Sequence, residues 1–228
     1  IAATFKTEWG QLNITEDRFI RTTEPSHYEA VAKMWNKLLA KGDIYKASYE
    51  ADYCRGCEVF LNDRDKDEDG RCLIHKTLPE KVSEENYFFK LSAYKEKLQA
   101  LLKENEHFIV PASRKQEVIN ILEDIQDISV SRARTSVSWG IPVPNDPDQV
   151  IYVWIDALSN YLTGLEWPNS GQNETMPFAT FWPPDVQVIG KDILRFHAIY
   201  WPAMLMSAEL PLPKTLLVHG FINIAETK

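Results

Sequence analysis

The chain has 228 residues, of which 44% are hydrophobic and 25% are charged, and its formal net charge is −8. This length supports a sizeable core, and the composition excludes a disordered or collagen-like chain. The acidic balance argues against a surface that binds nucleic acid throughout and leaves room only for a local basic patch. No apolar run reaches the ~18 residues of a transmembrane helix, and the first residues do not form a signal peptide. We expect a globular intracellular protein with no membrane and no DNA partner.

The first long element that the sequence predicts is a helix starting near Thr23. Its apolar residues recur at intervals of three and four, at Val31, Met34, Trp35, Leu38 and Leu39. Gly42 follows at a position typical of a helix end. Two later stretches, from Tyr94 to Leu102 and from Val118 to Ile125, have the same periodicity and are also predicted as helices.

The stretch before the second helix contains all three cysteines and an acidic loop, DRDKDEDG. Cys54 and Cys57 form one close pair, and after a gap of fourteen residues Cys72 and His75 form another. Two such pairs supply four thiolate and imidazole ligands for a tetrahedral ion, which predicts a structural zinc knuckle with no position left for a reacting water. The alternative is three buried reduced thiols and an incidental histidine.

The last third of the sequence alternates between strand-like and helix-like segments. In chain order they are VIYVWI, DALSNYLTGL, DVQVIG, DILRFHAIYWPAMLMSA and TLLVHGFI. This alternation indicates an open α/β fold with a parallel sheet of Rossmann type. The continuous apolar run VIYVWI is predicted as a central parallel strand that is covered on both faces.

Two features of this region point to a ligand site. Asp192 falls where a predicted strand meets a helix, and its carboxylate there either caps the helix or binds ribose hydroxyls. The helix that follows presents an apolar wall with one polar group, made by Ile193, Phe196, His197, Tyr200 and Trp201. Such a wall suits a pocket for an unbranched apolar ligand, but a core histidine with satisfied hydrogen bonds gives the same pattern. The same two interpretations apply to Trp154, Ala157, Leu158 and Tyr161.

A series of longer motifs narrows these alternatives. They are FIRTTEPSH, GDIYKASYEADYC, EENYFFKLSAY, DISVSRARTSVSWGIPVPNDP, IYVWIDALSNYLTG, VIGKDILRFHAIYWPAML and LPLPKTLLVHGF. In this order, and together with the zinc knuckle, they resemble the central catalytic region of the methionyl-tRNA synthetases, which are class I enzymes. Other class I synthetases share a WGIP-like turn, whereas YVWIDA followed by IGKDI-xx-FH is the pattern of the methionine enzymes. The resemblance implies the end of the first half of a Rossmann catalytic domain at 1–45, a connective insert with the zinc knuckle at 46–92, and the second half of that domain at 93–228.

The resemblance also implies roles for individual residues. Six positions fall on the family's methionine side-chain pocket: Trp154, Ala157, Leu158, Tyr161, Ile193 and His197. Gly190 and Asp192 fall where the family holds adenosine, and Asp192 is expected to bind the ribose hydroxyls. Arg132 falls on an active-centre arginine at the carboxylate and phosphate end of the reaction. Leu158 departs from family members that have proline there, which changes the shape of the pocket and keeps its apolar character.

The implied reaction is the ATP-dependent activation of methionine to methionyl-adenylate, followed by transfer of the methionyl group to tRNA(Met). The implied partners are methionine, tRNA(Met) and ATP, which acts as a substrate with Mg²⁺. One structural Zn²⁺ is implied in the insert. The expected location is the bacterial cytoplasm or an organellar matrix.

The sequence lacks an initiator methionine and both signature motifs of the family. The His-Ile-Gly-His-type motif belongs upstream, and the Lys-Met-Ser-Lys-Ser loop belongs downstream, with Lys228 aligned to its first lysine. We therefore expect an internal piece of a longer polypeptide that has no useful aminoacylation activity by itself.

Two other interpretations stay open. The chain is part of a leucine, isoleucine, valine or cysteine synthetase, against which stand the pocket pattern and a short insert that leaves no room for a large editing domain. Or it is a non-catalytic, zinc-containing module that binds RNA or protein. The acidic charge and the lack of a clustered basic stripe weigh against that second interpretation.

Overall fold

The computed structural model describes residues 1–54, 56, 59–61, 65–168 and 178–221. The α-helices in these ranges are α1 (Ala2–Gln11), α2 (Pro25–Ala40), α3 (Lys95–Glu104), α4 (Lys115–Glu123), α5 (Val153–Thr163), α6 (Phe178–Phe181) and α7 (Trp201–Ser207). The strands are β1 (Ile44–Cys54), β2 (Val59–Leu61), β3 (Glu80–Phe89), β4 (Ile109–Val110), β5 (Ile128–Ser129), β6 (Ser131–Ala133), β7 (Pro142–Val143), β8 (Asp146–Ile151), β9 (Val186–Gly190) and β10 (Thr215–His219). None of the described helices combines the length and the apolar character needed to cross a lipid bilayer.

Helix α2 is the helix predicted near Thr23. It begins with Pro25, whose fixed φ and missing N–H suit the first position of a helix. The side chains of Val31, Met34, Trp35 and Leu38 are fully buried. Leu39 is 39% exposed and lies at the edge of this apolar stripe. Gly42 has a φ of +80° just after the helix, as a helix-ending glycine requires.

The strands form three sheets in the described part of the chain. A four-stranded antiparallel sheet has the order β2-β1-β3-β5, and its long β1–β3 ladder pairs Ile44 with Phe89 and Tyr53 with Glu80. A three-stranded antiparallel sheet has the order β6-β8-β7. The third sheet, β4-β10-β9, is parallel. The segments DVQVIG and TLLVHG are therefore neighbouring parallel strands, as their alternation with helices predicts.

The prediction of VIYVWI as one central parallel strand was wrong. Strand β8 ends at Ile151 and pairs antiparallel with β6 and β7. Tyr152 then serves as the N-cap residue of α5, which begins at Val153. A short apolar run does not distinguish strand from helix, and here the period changes from two to 3.6 within the run.

The segment after β9 is helical, and its pitch changes along its length. It contains a 3₁₀ turn at Lys191–Ile193, a π-helical turn at Phe196–Tyr200, and then α7. We call this stretch the 191–207 segment. It shares one hydrophobic core with α2 and α5, in which Trp35, Leu158 and Trp201 are at most 1% exposed. Single π-helical turns occur frequently at functional sites, and His197 lies in this one.

Candidate active site and metal centre

Helix α5 carries four of the predicted pocket residues on one face. Trp154, Ala157, Leu158 and Tyr161 follow one another at positions i, i+3, i+4 and i+7, so they form a single stripe along the helix. Leu158 is 1% exposed and belongs to the core, whereas the other three are partly exposed. Contacts of Trp154 and Tyr161 with the 191–207 segment join the two helical walls.

A hydrogen bond between Tyr161 and His197 connects these walls. The Tyr161 hydroxyl lies 2.7 Å from Nε2 of His197, and Nδ1 of His197 lies 3.0 Å from the carbonyl oxygen of Ile193. A carbonyl only accepts, so Nδ1 donates to it; in the neutral imidazole Nε2 then accepts the hydroxyl proton of Tyr161. Burial lowers the pKa of His197, an effect that the contact with Ile193 opposes, and burial raises the pKa of Tyr161 to about 12. Both groups are therefore uncharged near neutral pH.

Aromatic rings complete the wall around this pair. The rings of Trp154 and Phe196 stack almost in parallel, with centroids 3.6 Å apart. Phe196 in turn meets Tyr200 edge to face at 5.2 Å. Trp201 is fully buried 6.0 Å from Tyr161, and within the described residues its Nε1 has no hydrogen-bond partner. The site therefore presents polarizable ring faces and one uncharged polar pair to a ligand.

A second group of residues meets at the carboxyl ends of β9 and β10. Gly190 ends β9 and pairs in register with His219, the last residue of β10. A Cβ at Gly190 would lie 2.8 Å from Oδ1 of Asp192 and 3.8 Å from Nε2 of His219. His219 Nδ1 donates to the carbonyl of Gly220 at 2.7 Å, so in the neutral imidazole Nε2 is an acceptor. The missing side chain of Gly190 thus lets the Asp192 carboxylate lie close to the backbone, near the His219 ring, at the edge where open α/β sheets bind ligands.

Asp192 does not occupy the helix-capping position considered above. The N-cap of the 3₁₀ turn is Gly190, and no side-chain capping bond is found there within the described residues. The Asp192 side chain is exposed. The capping interpretation is therefore not supported by the structure, and the use of this carboxylate in ribose binding stays a prediction.

Arg132 belongs to β6, and its side chain reaches the residue that precedes α5. Its guanidinium group sits 4.7 Å from the ring centroid of Tyr152, the residue that precedes the helix. It also donates to Ser129 Oγ at 2.8 Å and to the carbonyl of Ser131 at 2.7 Å. These contacts hold a permanent positive charge at the start of the helix that carries the pocket stripe.

The predicted metal ligands that the structure describes lie together. The ligand atoms of Cys54, Cys72 and His75 are all within 4.8 Å of one another, and Cys54 Sγ lies 3.7 Å from His75 Nδ1. A tetrahedral zinc ion with bonds of ~2.0–2.3 Å holds its donors roughly 3.3–3.8 Å apart, and the Cys54–His75 separation of 3.7 Å fits this ion. Backbone N–H groups, that of His75 first, lower the pKa of the Cys72 thiol to about 6, which favours the thiolate that zinc requires. Cys57, the predicted fourth ligand, lies outside the described residues.

Gly56 is the residue that lets His75 approach Cys54. A Cβ at this position would lie 2.6–2.8 Å from atoms of the His75 ring. That distance is shorter than any van der Waals contact, so another residue here would displace the imidazole.

The structure does not describe one of the predicted site residues, and it adds one residue that the sequence analysis did not select. Lys228, assigned to the start of a signature loop, lies outside the described residues. His219 was not selected, although it ends a predicted strand beside DVQVIG. Because neighbouring parallel strands end at the same edge of a sheet, that position was the signal that could have identified it. The roles of all the individual site residues remain predictions.

Comparison with known proteins places the chain in a family. A sequence model of the family described as tRNA synthetases class I (M) matches residues 1–68 and 66–228. The chain belongs to this class I synthetase family. Its relatives in the family include the methionine–tRNA ligase of Synechocystis sp., which is 47% identical over 221 residues, and the chloroplastic/mitochondrial methionine–tRNA ligase of Arabidopsis thaliana, which is 45% identical over 224 residues.

Solved structures of this class I synthetase family agree with the sequence match. The Mycobacterium tuberculosis methionyl-tRNA synthetase in complex with methionyl-adenylate is 44% identical, with a TM-score of 0.82 over 96% of this chain and 43% of that one. The chain therefore has the α/β, Rossmann-type fold of a class I synthetase. The matches to the two ligases above include 96% and 98% of this chain. They cover only 41% and 36% of the length of those ligases.

Proposed function

We propose that this chain is the central catalytic part of a methionine–tRNA ligase. The whole polypeptide would activate methionine with ATP and transfer it to tRNA(Met). The family and the named relatives support this proposal. The observation that carries it is the uncharged Tyr161–His197 pair between two aromatic helical walls, because that site suits an apolar, polarizable side chain.

The methionine side chain is proposed to lie between α5 and the 191–207 segment. The residues that would contact it are Trp154, Ala157, Leu158, Tyr161, Ile193 and His197. A flexible thioether packs well against aromatic rings. The hydroxyl proton of Tyr161 and the Nδ1 proton of His197 are already donated within the protein. The pair would therefore select by shape and polarizability, and would disfavour charged side chains, which lose their hydration there. Shape alone separates side chains that differ by one methylene by only ~1–3 kcal/mol, so the packing of this wall matters.

The adenosine of ATP is proposed to bind at the carboxyl ends of β9 and β10. Gly190 would allow the nucleotide to approach the backbone, and Asp192 would accept hydrogen bonds from the ribose hydroxyls. We add His219 to this site because its Nε2, an acceptor in the neutral imidazole, lies 3.8 Å from the position that a Cβ of Gly190 would take. Arg132 and Lys228 are proposed to stabilise the negative charge of the carboxylate and phosphate groups.

In the proposed reaction, a methionine carboxylate oxygen attacks the α-phosphorus of ATP and pyrophosphate leaves with the bonding electrons. The methionyl group then passes to a hydroxyl of the terminal ribose of the tRNA, and AMP is released. No side chain forms a covalent intermediate. The residues contribute by orienting the two substrates and by placing positive charge near the phosphates, with Mg²⁺ accompanying the ATP.

The insert is proposed to hold one structural zinc ion through Cys54, Cys57, Cys72 and His75. When bound, the ion supplies a cross-link and no reacting water, since all four ligands come from the protein. The proposed boundaries are 46–92 for the insert, with the two parts of the catalytic domain at 1–45 and 93–228. The proposed location is the bacterial cytoplasm or an organellar matrix, in keeping with the bacterial and the chloroplastic/mitochondrial relatives.

The test is ATP–pyrophosphate exchange by the full-length polypeptide that contains this chain. We expect exchange with methionine and none above background with leucine, isoleucine, valine or cysteine. Exchange with one of those four instead would assign another synthetase and overturn the pocket assignment. No exchange with any of the five, from a folded protein, would favour the non-catalytic module.

A further inference from the structure

His27 is buried against the opposite side of the pocket helix. It lies in the first turn of α2, and its side chain is 0% exposed. Its Nε2 is 2.7 Å from Oδ1 of Asp156, and its Nδ1 is 2.9 Å from Oγ1 of Thr163. One imidazole on α2 therefore holds two residues of α5.

The two contacts span most of α5. Asp156 lies in the first turn of the helix and Thr163 is its last residue. They are seven residues apart, about two turns, and so lie on the same face. A single contact would let the helix pivot about one point, whereas two contacts separated along the axis fix both its rotation and its shift along that axis.

The face held by His27 is not the pocket face. Relative to Asp156, Ala157 and Tyr161 are rotated by about 100° and 140° around the helix. The same peptide backbone thus carries the His27 contacts on one side and the pocket stripe on the other. A rotation of α5 by a few tens of degrees would move the Tyr161 hydroxyl away from Nε2 of His197. The 2.7 Å hydrogen bond between them would then break, because hydrogen bonds require a short distance and a nearly linear angle.

Both ring nitrogens of His27 have a hydrogen-bonding partner at this junction. The Asp156 carboxylate only accepts, so Nε2 of His27 donates to it. Thr163 Oγ1 lies 2.9 Å from Nδ1 of His27 and 3.1 Å from the carbonyl oxygen of Ser159. A buried imidazole with both nitrogens engaged has few alternative orientations, which makes it a rigid reference point for α5.

We propose that His27 is a positioning residue for the amino-acid pocket: it sets the orientation of α5 and thereby the geometry of Ala157 and Tyr161. This inference rests on the proposed function only for the identity of the ligand. His27 does not touch the ligand and acts through α5.

The experiment compares three variants of the full-length polypeptide. His27→Leu removes both contacts. His27→Gln keeps a donor near the position of Nε2 and so preserves the contact with Asp156. Lys37→Met is the matched control, because Lys37 on the same helix donates to the carbonyl of Ala208 at 3.1 Å and touches no residue of α5 through that bond.

Two readouts are measured. In ATP–pyrophosphate exchange we expect His27→Leu to raise the KM for methionine at least about tenfold and the KM for ATP less than about twofold, with His27→Gln in between. In hydrogen exchange we expect the α5 amides to exchange about tenfold faster in His27→Leu, while those of α4 stay unchanged. Lys37→Met should leave the KM for methionine and the α5 amides as they are in the wild type.

The outcomes separate this inference from the proposed function. A wild-type KM for methionine in His27→Leu, or an equal rise in Lys37→Met, would overturn the positioning role and leave the proposed function intact. If the wild type exchanges no methionine, the proposed function fails. Hydrogen exchange then decides the inference: unaltered α5 protection in both His27 variants would overturn it. If His27→Leu does not fold, His27→Gln carries both readouts.

Discussion

The Tyr161 hydroxyl donates a 2.7 Å hydrogen bond to Nε2 of His197, from the pocket face of α5 to the π-helical turn of the 191–207 segment. His197 therefore fits both interpretations that its sequence position allowed. It is 3% exposed with both ring nitrogens bonded, as a core histidine is, and it also belongs to the wall beside Tyr161. The bond fixes the distance between the two walls, and in the proposed pocket this distance would limit the width of the side chain that binds.

Removing this bond should change the pocket more than the fold. In Tyr161→Phe, the buried Nε2 of His197 loses its donor, and the free energy of unfolding should fall by about 1–3 kcal/mol. We expect the KM for methionine to rise about three- to tenfold in pyrophosphate exchange, with the KM for ATP unchanged. Tyr28→Phe is the control, since Tyr28 is 44% exposed. Equal KM values for methionine in the two variants would refute a role for the bond in the pocket.

Burial of His197 should make stability depend on pH in one direction. Its pKa is lowered in the folded state from an ordinary 6.5, so between the two values the unfolded state binds more protons. Stability from this group is then fully present above about pH 6.5 and is lost as the pH falls toward the lowered value. Urea unfolding at a series of pH values should show a shallower decline below pH 6.5 for His197→Gln than for the wild type.

The exposed His107 provides the control for that pH series. His107→Gln makes the same substitution at an exposed imidazole and leaves the buried His197 in place. Its decline in stability should match that of the wild type. If His197→Gln and His107→Gln behave alike, the buried imidazole does not contribute the pH dependence.

Much of the fold was predictable because local patterns determine it. The apolar stripe of α2 and the strands DVQVIG and TLLVHG follow from periodicity and from alternation along the chain. VIYVWI was not predictable in the same way, because its apolar run continues while the backbone changes from β8 to α5 at Tyr152. Only the pairing of β8 with strands on either side of it shows where the strand ends.

The residues around the candidate sites likewise divide into those that the sequence predicts and those that it does not. Spacing alone grouped Cys54, Cys72 and His75, since metal ligands come in short-range pairs. His27 carries no such signal: its partners Asp156 and Thr163 are 129 and 136 residues away in the sequence. Contacts at that separation depend on how α2 and α5 pack, which a single sequence does not specify.

Gly190 allows a direct steric test of the nucleotide site. Its backbone, with φ −73° and ψ 151°, accepts any residue, so Gly190→Ala adds only a Cβ. That atom would lie 2.8 Å from Oδ1 of Asp192 and must displace the carboxylate. We expect the KM for ATP to rise about tenfold or more, with little change for methionine. Gly220→Ala is the control because a Cβ there meets nothing within 4 Å. A wild-type KM for ATP in Gly190→Ala would exclude close approach of the nucleotide at this glycine.

Gly56 gives the corresponding test of the metal site, and it does so without removing a ligand. In Gly56→Ala the new Cβ would clash with the His75 ring at 2.6–2.8 Å, so the imidazole must move away from Cys54. We expect the wild type to bind one zinc ion per chain and the variant to bind it about 10–100-fold more weakly, as measured by competition with a chelator. Gly10→Ala controls for the substitution itself, since nothing lies within 4 Å of a Cβ there. The folded insert should also lose amide protection in β1 and β3 when the chelator removes the ion, because the proposed ion would cross-link the end of β1 to the Cys72–His75 turn. A wild-type protein that keeps this protection without bound zinc would show that the cysteines are structural thiols and that Gly56 serves packing alone.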